Sequence, residues 1–117
     1  MLELTVRADP RQLAPVRHRI GALLRALHRT DDHIWRVSVV ANELLALSIH
    51  QGNDRGATLR LLTLPDATRI ELVDDLQDLA AFESEPGRIV TRVASIWGVV
   101  RDPAGTRTVW CDVEREP

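Results

Sequence analysis

Residues 37–52 read Val37-Ser-Val-Val-Ala-Asn-Glu43-Leu-Leu-Ala-Leu47-Ser-Ile-His-Gln51-Gly52. Together with Ile34 just before them, their apolar side chains recur at steps of three and four residues, which predicts a helix with a wide buried face. Thr30-Asp31-Asp32 supplies capping residues at its start, and the glycine is the usual residue beyond a helix end. We therefore expect a deeply buried helix from about residue 30 to residue 51.

The residues before this helix predict a strand and an amphipathic helix. Leu2 to Arg7 alternates apolar and polar side chains, which is the period of a half-buried strand. Asp9-Pro10 then supplies a cap followed by proline in the first helical turn, and apolar residues recur at helical spacing as far as Leu27. The arginines of this helix form either a solvated face or a site for an acidic partner.

The residues after it predict two hairpins with a third helix between them. Each hairpin has turn-forming residues between its strands, Pro65-Asp66-Ala67 in one and Asp102-Pro103-Ala104-Gly105 in the other. The expected strands are 57–64, 68–73, 99–101 and 106–113. A polar connector follows Asp74, and the third helix is expected from about Arg88 to Trp97, closed by Gly98.

The order of elements decides the fold class. Strand, helix, helix, strand, strand, helix, strand, strand predicts an α+β two-layer sandwich, in which three helices cover one face of a mostly antiparallel sheet. A length of 117 residues fits one domain, spanning 1–117.

Composition excludes several classes of protein. The formal net charge is -2, with 15 basic residues interspersed among 17 acidic ones, which does not predict a nucleic-acid surface. Apolar runs are too short to span a bilayer and the N-terminus has no signal-peptide pattern, so we expect a cytoplasmic protein with no membrane partner. The single cysteine, Cys111, is expected to be a buried strand residue.

The central helix resembles the ATP-binding helix of the GHKL, or Bergerat-fold, ATPases (the histidine-kinase-like ATPase fold), specifically the bacterial anti-sigma-factor serine/threonine kinases. That branch carries Glu-x-x-x-Asn-x-x-x-His/Tyr-Gly, and here the register gives Glu43, Leu47, Gln51 and Gly52. The resemblance implies that Glu43 is the general base and that Leu47 occupies the position of the magnesium ligand. A leucine offers magnesium no oxygen, and Asn42 lies about 140° around the helix from position 47, so we expect no metal site.

The other two family motifs are also altered. The family reads Asp-x-Gly-x-Gly where this chain has Asp74-Asp75-Leu76-Gln77-Asp78. The resemblance implies that Asp74 corresponds to the adenine-binding aspartate, but both glycines are replaced by bulkier residues. The glycine-rich lid is reduced to Gly87 at the entrance of the third helix. The hairpin that ends the chain is very like that of the family, and it concerns the fold alone.

Two functions are compatible with this pattern. The first is a regulatory protein-interaction module resembling an anti-sigma factor, a pseudoenzyme with ATP and magnesium binding degraded or lost and no cofactor. The alternative is an active ATP-dependent serine/threonine protein kinase that uses Glu43, ATP and Mg²⁺. In either case the resemblance implies a protein partner, a sigma factor or an anti-sigma antagonist, and allows a homodimer through the first strand and helix.

Each candidate residue also has a purely structural interpretation. Glu43 is either a binding or catalytic carboxylate, or a residue paired with arginine, or simply a residue at the edge of the helix. Asp74 is either an adenine ligand or a plain turn residue. Trp97 and Trp110 are expected to pack rather than stack on a base. The remaining prediction concerns three histidines without metal spacing, which we expect at the surface: His18, His28 and His33.

Overall fold

Five antiparallel strands and three α-helices make up the fold of the computed structural model, which describes residues 2–6, 9–50, 56–75 and 85–115. The strands are β1 (Leu2–Val6), β2 (Ala57–Thr63), β3 (Ala67–Asp74), β4 (Ile96–Arg101) and β5 (Arg107–Glu114). The helices are α1 (Leu13–Ala26), preceded by a short 3-10 turn, α2 (Asp31–His50) and α3 (Glu85–Val93). The predicted α+β class is confirmed.

The strands form one sheet in the order β1-β2-β3-β5-β4, and every neighbouring pair is antiparallel. The register aligns apolar residues across the sheet. One row of paired residues, all on the face that packs against the helices, contains Leu4, Leu59, Leu72, Val109 and Val99. Side chains alternate between the two faces of a strand, so this register gives the sheet one buried and one more open face.

Helix α2 is the centre of the second layer, because it packs against both α1 and α3 and also contacts β2, β3 and β5. Its buried side chains follow the predicted three- and four-residue spacing. They are His33, Ile34, Val37, Val40, Ala41, Leu44, Leu45, Leu47 and Ser48. Helix α1 adds a narrower buried stripe, formed by Val16, Ile20, Gly21 and Leu24.

The third helix was predicted too far along the chain. It ends at Val93, and Ile96 and Trp97, which were expected in the helix, instead begin β4 and pair with β5. β-branched and aromatic residues fit a pleated surface well, and here the pairing with β5 outweighs their helical spacing. Gly98 does not close a helix: a β-carbon there would lie 2.7 Å from the Trp110 indole, so glycine allows that ring to cross β4.

Other local predictions hold. In the turn between β4 and β5, the Gly105 amide donates to the Asp102 carbonyl oxygen at 3.0 Å, and Gly105 has a φ of 92°. Cys111 is buried on β5, and burial raises the pKa of its thiol to about 12. Among the described residues, no helix has both the length and the apolar character needed to cross a bilayer.

His33 lies in the core, so the prediction that it is a surface residue was wrong, whereas His18 and His28 are exposed as predicted. The His33 Nδ1 is 2.9 Å from the Glu114 carbonyl oxygen, and the His33 Nε2 is 2.8 Å from Thr68 Oγ1. A carbonyl oxygen can only accept, so Nδ1 carries the proton and neutral Nε2 accepts from the threonine hydroxyl. Two hydrogen bonds explain why the α2 core contains a histidine.

We expect this burial to make stability depend on pH. Desolvation lowers the pKa of His33 below its ordinary 6.5, and Arg36, Arg29 and Arg115 lower it further, while the hydrogen bond to Glu114 opposes them. Below pH 6.5, His33 therefore binds a proton more readily in the unfolded chain than in the folded chain. Its contribution to the free energy of unfolding is complete above pH 6.5 and decreases as the pH falls below that value. In urea unfolding, protonation of His33 should lower the free energy of unfolding by up to about 1.4 kcal/mol per pH unit.

The comparison variants are His33→Gln and His18→Gln. His33→Gln removes the buried titrating group, so its free energy of unfolding should decrease less steeply below pH 6.5. The second changes an exposed histidine of α1 and should keep the wild-type pH dependence. Equal pH dependence in all three proteins would contradict the assignment to His33.

Candidate functional site

Asp74 and Arg107 form an ion pair under the helical layer. The Arg107 Nε donates to Asp74 Oδ1 at 2.8 Å, and its Nη2 donates to Asp74 Oδ2 at 2.7 Å. The two side chains are 0% and 1% exposed, respectively. Ser48 Oγ adds a third hydrogen bond to Asp74 Oδ2 at 3.2 Å. Both carboxylate oxygens of Asp74 therefore already accept hydrogen bonds from within the protein.

Three elements bring these groups together. Asp74 is the last residue of β3 and Arg107 is the first residue of β5, and the antiparallel register pairs them directly. Directly paired residues share a face of the sheet, and this face is the one that the helices cover. Ser48 approaches from the last turns of α2. A planar guanidinium matches a carboxylate with two parallel hydrogen bonds, which fixes both side chains.

Glu43 lies in a different environment, a shallow cavity of about 320 Å³ on the outer surface of α1 and α2. The cavity is also lined by Arg17, Trp35, Ser38, Val39 and Asn42. Burial raises the pKa of Glu43 above its usual 4.5, and within the described part of the chain it makes no hydrogen bond or ion pair. Of the structural alternatives for Glu43, pairing with an arginine is not found there, and a half-buried position at the edge of the helix is.

Leu47 is a core residue with 5% of its surface exposed. Asn42 faces outward, as predicted, and accepts a hydrogen bond from Arg17 Nη1 at 2.7 Å. In the described residues, no group of three or more histidine, cysteine, aspartate or glutamate side chains could hold a metal ion. Gly87 lies in the first turn of α3, whereas positions 51, 52, 76 and 78 of the family motifs lie outside the described residues.

Arg107 is the residue that sequence reasoning missed. The sequence around it, Gly105-Thr106-Arg107-Thr108, predicted only the first residues of a strand. One signal was available, the position of Arg107 in its strand. A charged residue on the covered face of β5 requires a partner. If β3 had been known to pair with β5, the register would have placed Asp74 opposite Arg107. The order of strands was not available from the sequence, because β5 pairs with β3 across an intervening helix and strand.

Solved structures share this fold. The RsbU and RsbW domains of Rv1364c from Mycobacterium tuberculosis match with a TM-score of 0.75 at 16% identity, over 97% of this chain and 32% of that one. The SiaB-SiaC complex from Pseudomonas aeruginosa matches with a TM-score of 0.66 at 12% identity, over 97% of this chain and 89% of that one. This chain spans about a third of the Rv1364c chain. No protein-family model and no curated protein sequence matches.

Proposed function

We propose that this protein is a regulatory protein-interaction module, similar to an anti-sigma factor, in which nucleotide binding has been lost. The observation that carries the proposal is the buried pair of Asp74 and Arg107. In the GHKL family that the sequence resembles, the aspartate at this position receives the adenine amino group. In this chain an arginine of the same protein takes both oxygens of that carboxylate.

Displacing Arg107 to admit adenine is energetically unfavourable. The incoming amino group would replace a charged donor with a neutral one, and charge-assisted hydrogen bonds are roughly twice as strong as neutral ones. Arg107 would also be left buried without its counter-ion, and breaking a buried pair costs about 3–5 kcal/mol. This cost would be subtracted from any binding energy of the nucleotide, so the pair supports a closed adenine subsite.

The position of the metal ligand supports the same proposal. Leu47 contributes a hydrocarbon side chain to the core and no oxygen, whereas Mg²⁺ requires oxygen ligands in near-octahedral geometry. The residues present do not fit a Mg·ATP complex, so we assign no chemical step to it.

The kinase alternative has one observation in its favour. Glu43 has a pKa raised by burial, and a raised pKa suits a carboxylate acting as a general base near neutral pH. A base alone transfers no phosphoryl group, because catalysis of that reaction rests on positioning and on neutralising the phosphates. The two groups that would position adenine and metal are an arginine-bound aspartate and a leucine.

The surface offered to a protein partner is the basic face of α1, defined here as Arg17, His18, Arg19 and Arg25, all of which are exposed. Residues 10–29 contain five arginines and no acidic residue, so the other 97 residues carry ten basic and 17 acidic side chains, a formal charge of -7. Within this face, Arg17, His18 and Arg25 line a cavity of about 260 Å³. A concave cationic surface on an otherwise acidic protein fits an acidic protein segment.

Arginine is the residue best suited to such a partner. The chain has 15 arginines and no lysine, and a guanidinium binds carboxylates through two parallel hydrogen bonds. Arg17 is held in place by its hydrogen bond to Asn42. The Arg25 guanidinium lies close to Gly21, where a β-carbon would be 2.9 Å from its Nη1. By resemblance, the partner is a sigma factor or an anti-sigma antagonist.

Titration calorimetry with ATP and ADP in the presence of Mg²⁺ tests the loss of nucleotide binding. We expect no saturable heat up to about 1 mM nucleotide, and no rise in unfolding free energy at that concentration. For comparison, a Kd of about 10 µM would stabilise the fold by about 2.7 kcal/mol at 1 mM ligand. Glu43→Gln should behave as the wild type does. Micromolar binding by the wild-type chain would overturn the proposal.

A further inference from the structure

Trp35 lies exposed on the outer surface of α2. Five large hydrophobic side chains are exposed in the described structure, and Trp35 is the most exposed of them, at 61%. Its indole lines the cavity of about 320 Å³ that also contains Glu43. Tryptophan is enriched at the energetic centres of protein–protein interfaces, because it offers a large and rigid apolar surface. An exposed tryptophan at a cavity therefore indicates a contact with another molecule.

Three residues of α2 give this cavity two chemically different ends. Trp35, Val39 and Glu43 are spaced by four residues, and four residues of helix rotate by about 400°, so the three side chains follow one stripe. The rise of about 1.5 Å per residue separates the Cα atoms of Trp35 and Glu43 by about 12 Å along the helix axis. The stripe therefore runs from an aromatic ring, past the half-buried Val39, to a carboxylate.

The Glu43 carboxylate is half-buried and has no cationic partner in the parts of the chain that the structure describes. Desolvation raises the pKa of this carboxyl group, so its charged form is less stable here than in water. Arg17 also lines the cavity, but its Nη1 donates to Asn42 Oδ1 at 2.7 Å, and its exposure to solvent screens its charge. A cation placed against Glu43 would therefore stabilise the charged form.

We propose that this cavity binds an arginine side chain of a partner protein. The aliphatic stem of the arginine lies along Trp35 and Val39, and its guanidinium donates two parallel hydrogen bonds to the Glu43 carboxylate. Arginine combines a long apolar stem with a charged head. Its planar head matches a carboxylate and stacks on aromatic rings better than a lysine ammonium does. Phosphate and carboxylate ligands are disfavoured at this end of the cavity, because they would meet the like charge of Glu43.

The cavity adjoins the basic face of α1, because Arg17 belongs to both. A partner segment that places carboxylates on Arg17 and Arg25 would therefore carry its arginine close to Glu43. Charges of both signs specify one orientation of a bound segment, since the reversed orientation brings like charges together. The inference rests on the proposed function only for the source of the arginine, because binding in the cavity can be measured without a partner protein.

NMR titration of the isotopically labelled full chain with N-acetyl-arginine amide tests the cavity directly. We expect the indole N–H signal of Trp35, assigned with Trp35→Phe, to shift with a dissociation constant of millimolar order, as suits a probe of this size. The indole signals of Trp97 and Trp110 should stay in place. N-acetyl-citrulline amide has the same shape without the positive charge, so it should bind at least about tenfold more weakly.

Substitutions test the two ends of the cavity separately. Glu43→Gln removes the charge and keeps the shape of the side chain, so its affinity for the arginine probe should fall at least about tenfold, to that of the citrulline probe. Trp35→Ala removes the surface for the stem and should weaken the arginine probe severalfold. Neither side chain is fully buried, so circular dichroism should show that the fold is retained. The matched control Glu71→Gln makes the same change on the open face of the sheet and should bind the arginine probe as the wild type does.

Three outcomes would overturn the inference. They are equal affinity for the two probes, an unchanged affinity of Glu43→Gln for the arginine probe, and the absence of any shift of the Trp35 signal at tens of millimolar probe. Failure of the proposed function is a different result. Nucleotide binding detected by calorimetry would contradict that function, whereas it would leave the preference of the cavity for arginine over citrulline unchanged.

Discussion

Replacing Arg107 with alanine is expected to lower the free energy of unfolding by about 3–5 kcal/mol. The substitution removes both guanidinium hydrogen bonds from Asp74 and leaves that carboxylate fully covered by protein. Because small domains are stable by only about 5–15 kcal/mol, this single change should remove a large share of the total. Urea unfolding followed by circular dichroism measures this difference in the free energy of unfolding.

Two controls separate burial from charge. Arg60→Ala removes an arginine that bridges Glu3 and Glu71 on the open face of the sheet, where it is 38% exposed, and should cost at most about 1 kcal/mol. The double variant Asp74→Leu/Arg107→Met replaces the buried pair with apolar residues and should be more stable than Arg107→Ala. Equal losses in Arg107→Ala and Arg60→Ala would contradict the role of burial.

Reversing two charges on the basic face of α1 should weaken partner binding by about 100-fold, which corresponds to about 2.7 kcal/mol. The variant is Arg17→Glu/Arg25→Glu, and the physical reason is that carboxylates of the partner would meet carboxylates in place of guanidinium groups. The measurement is titration of the purified partner that the wild-type chain retains from its native cell extract. Wild-type affinity should also fall as salt rises, because exposed charges are screened.

The matched control is Arg88→Glu/Arg92→Glu on α3. Both of these arginines are exposed, so the net charge changes by the same amount on a different surface. We expect this variant to bind the partner within a fewfold of wild type. Equal weakening by both variants would show that net charge alone governs binding and would contradict a site on α1.

Hydrophobic spacing was sufficient to predict most of the fold. The period of α2, the alternation of β1 and the turn at Asp102 each depend on residues close together in sequence, so each could be inferred locally. The strand conformation of Ile96 and Trp97 could not be inferred locally. Their spacing is helical, and the pairing with β5 that outweighs it exists only in the folded sheet. His33 was misplaced for a similar reason, since its partners Thr68 and Glu114 lie 35 and 81 residues further along the chain.

The candidate site was predicted only in part. The sequence identified Asp74 at the end of a strand and Leu47 on the buried face of a helix, both of which follow from periodicity. It did not reveal what Asp74 binds, because Arg107 and Ser48 come from two other elements of the fold. The family motif predicts an aspartate available to a ligand. The contact of Asp74 with Arg107 can be recognised only once the order of the strands in the sheet is known.

The sheet order also constrains how the chain is completed during synthesis. β5 is the last of these five strands to leave the ribosome, yet it lies between β3 and β4. Until residues 107–114 emerge, β4 has no strand to pair with and the inner edge of β3 stays open. At translation rates of about 5–20 residues per second, β4 is therefore synthesised some time before the strand with which it pairs. Nascent chains halted before Arg107 would thus be the form of this protein most prone to misassociation.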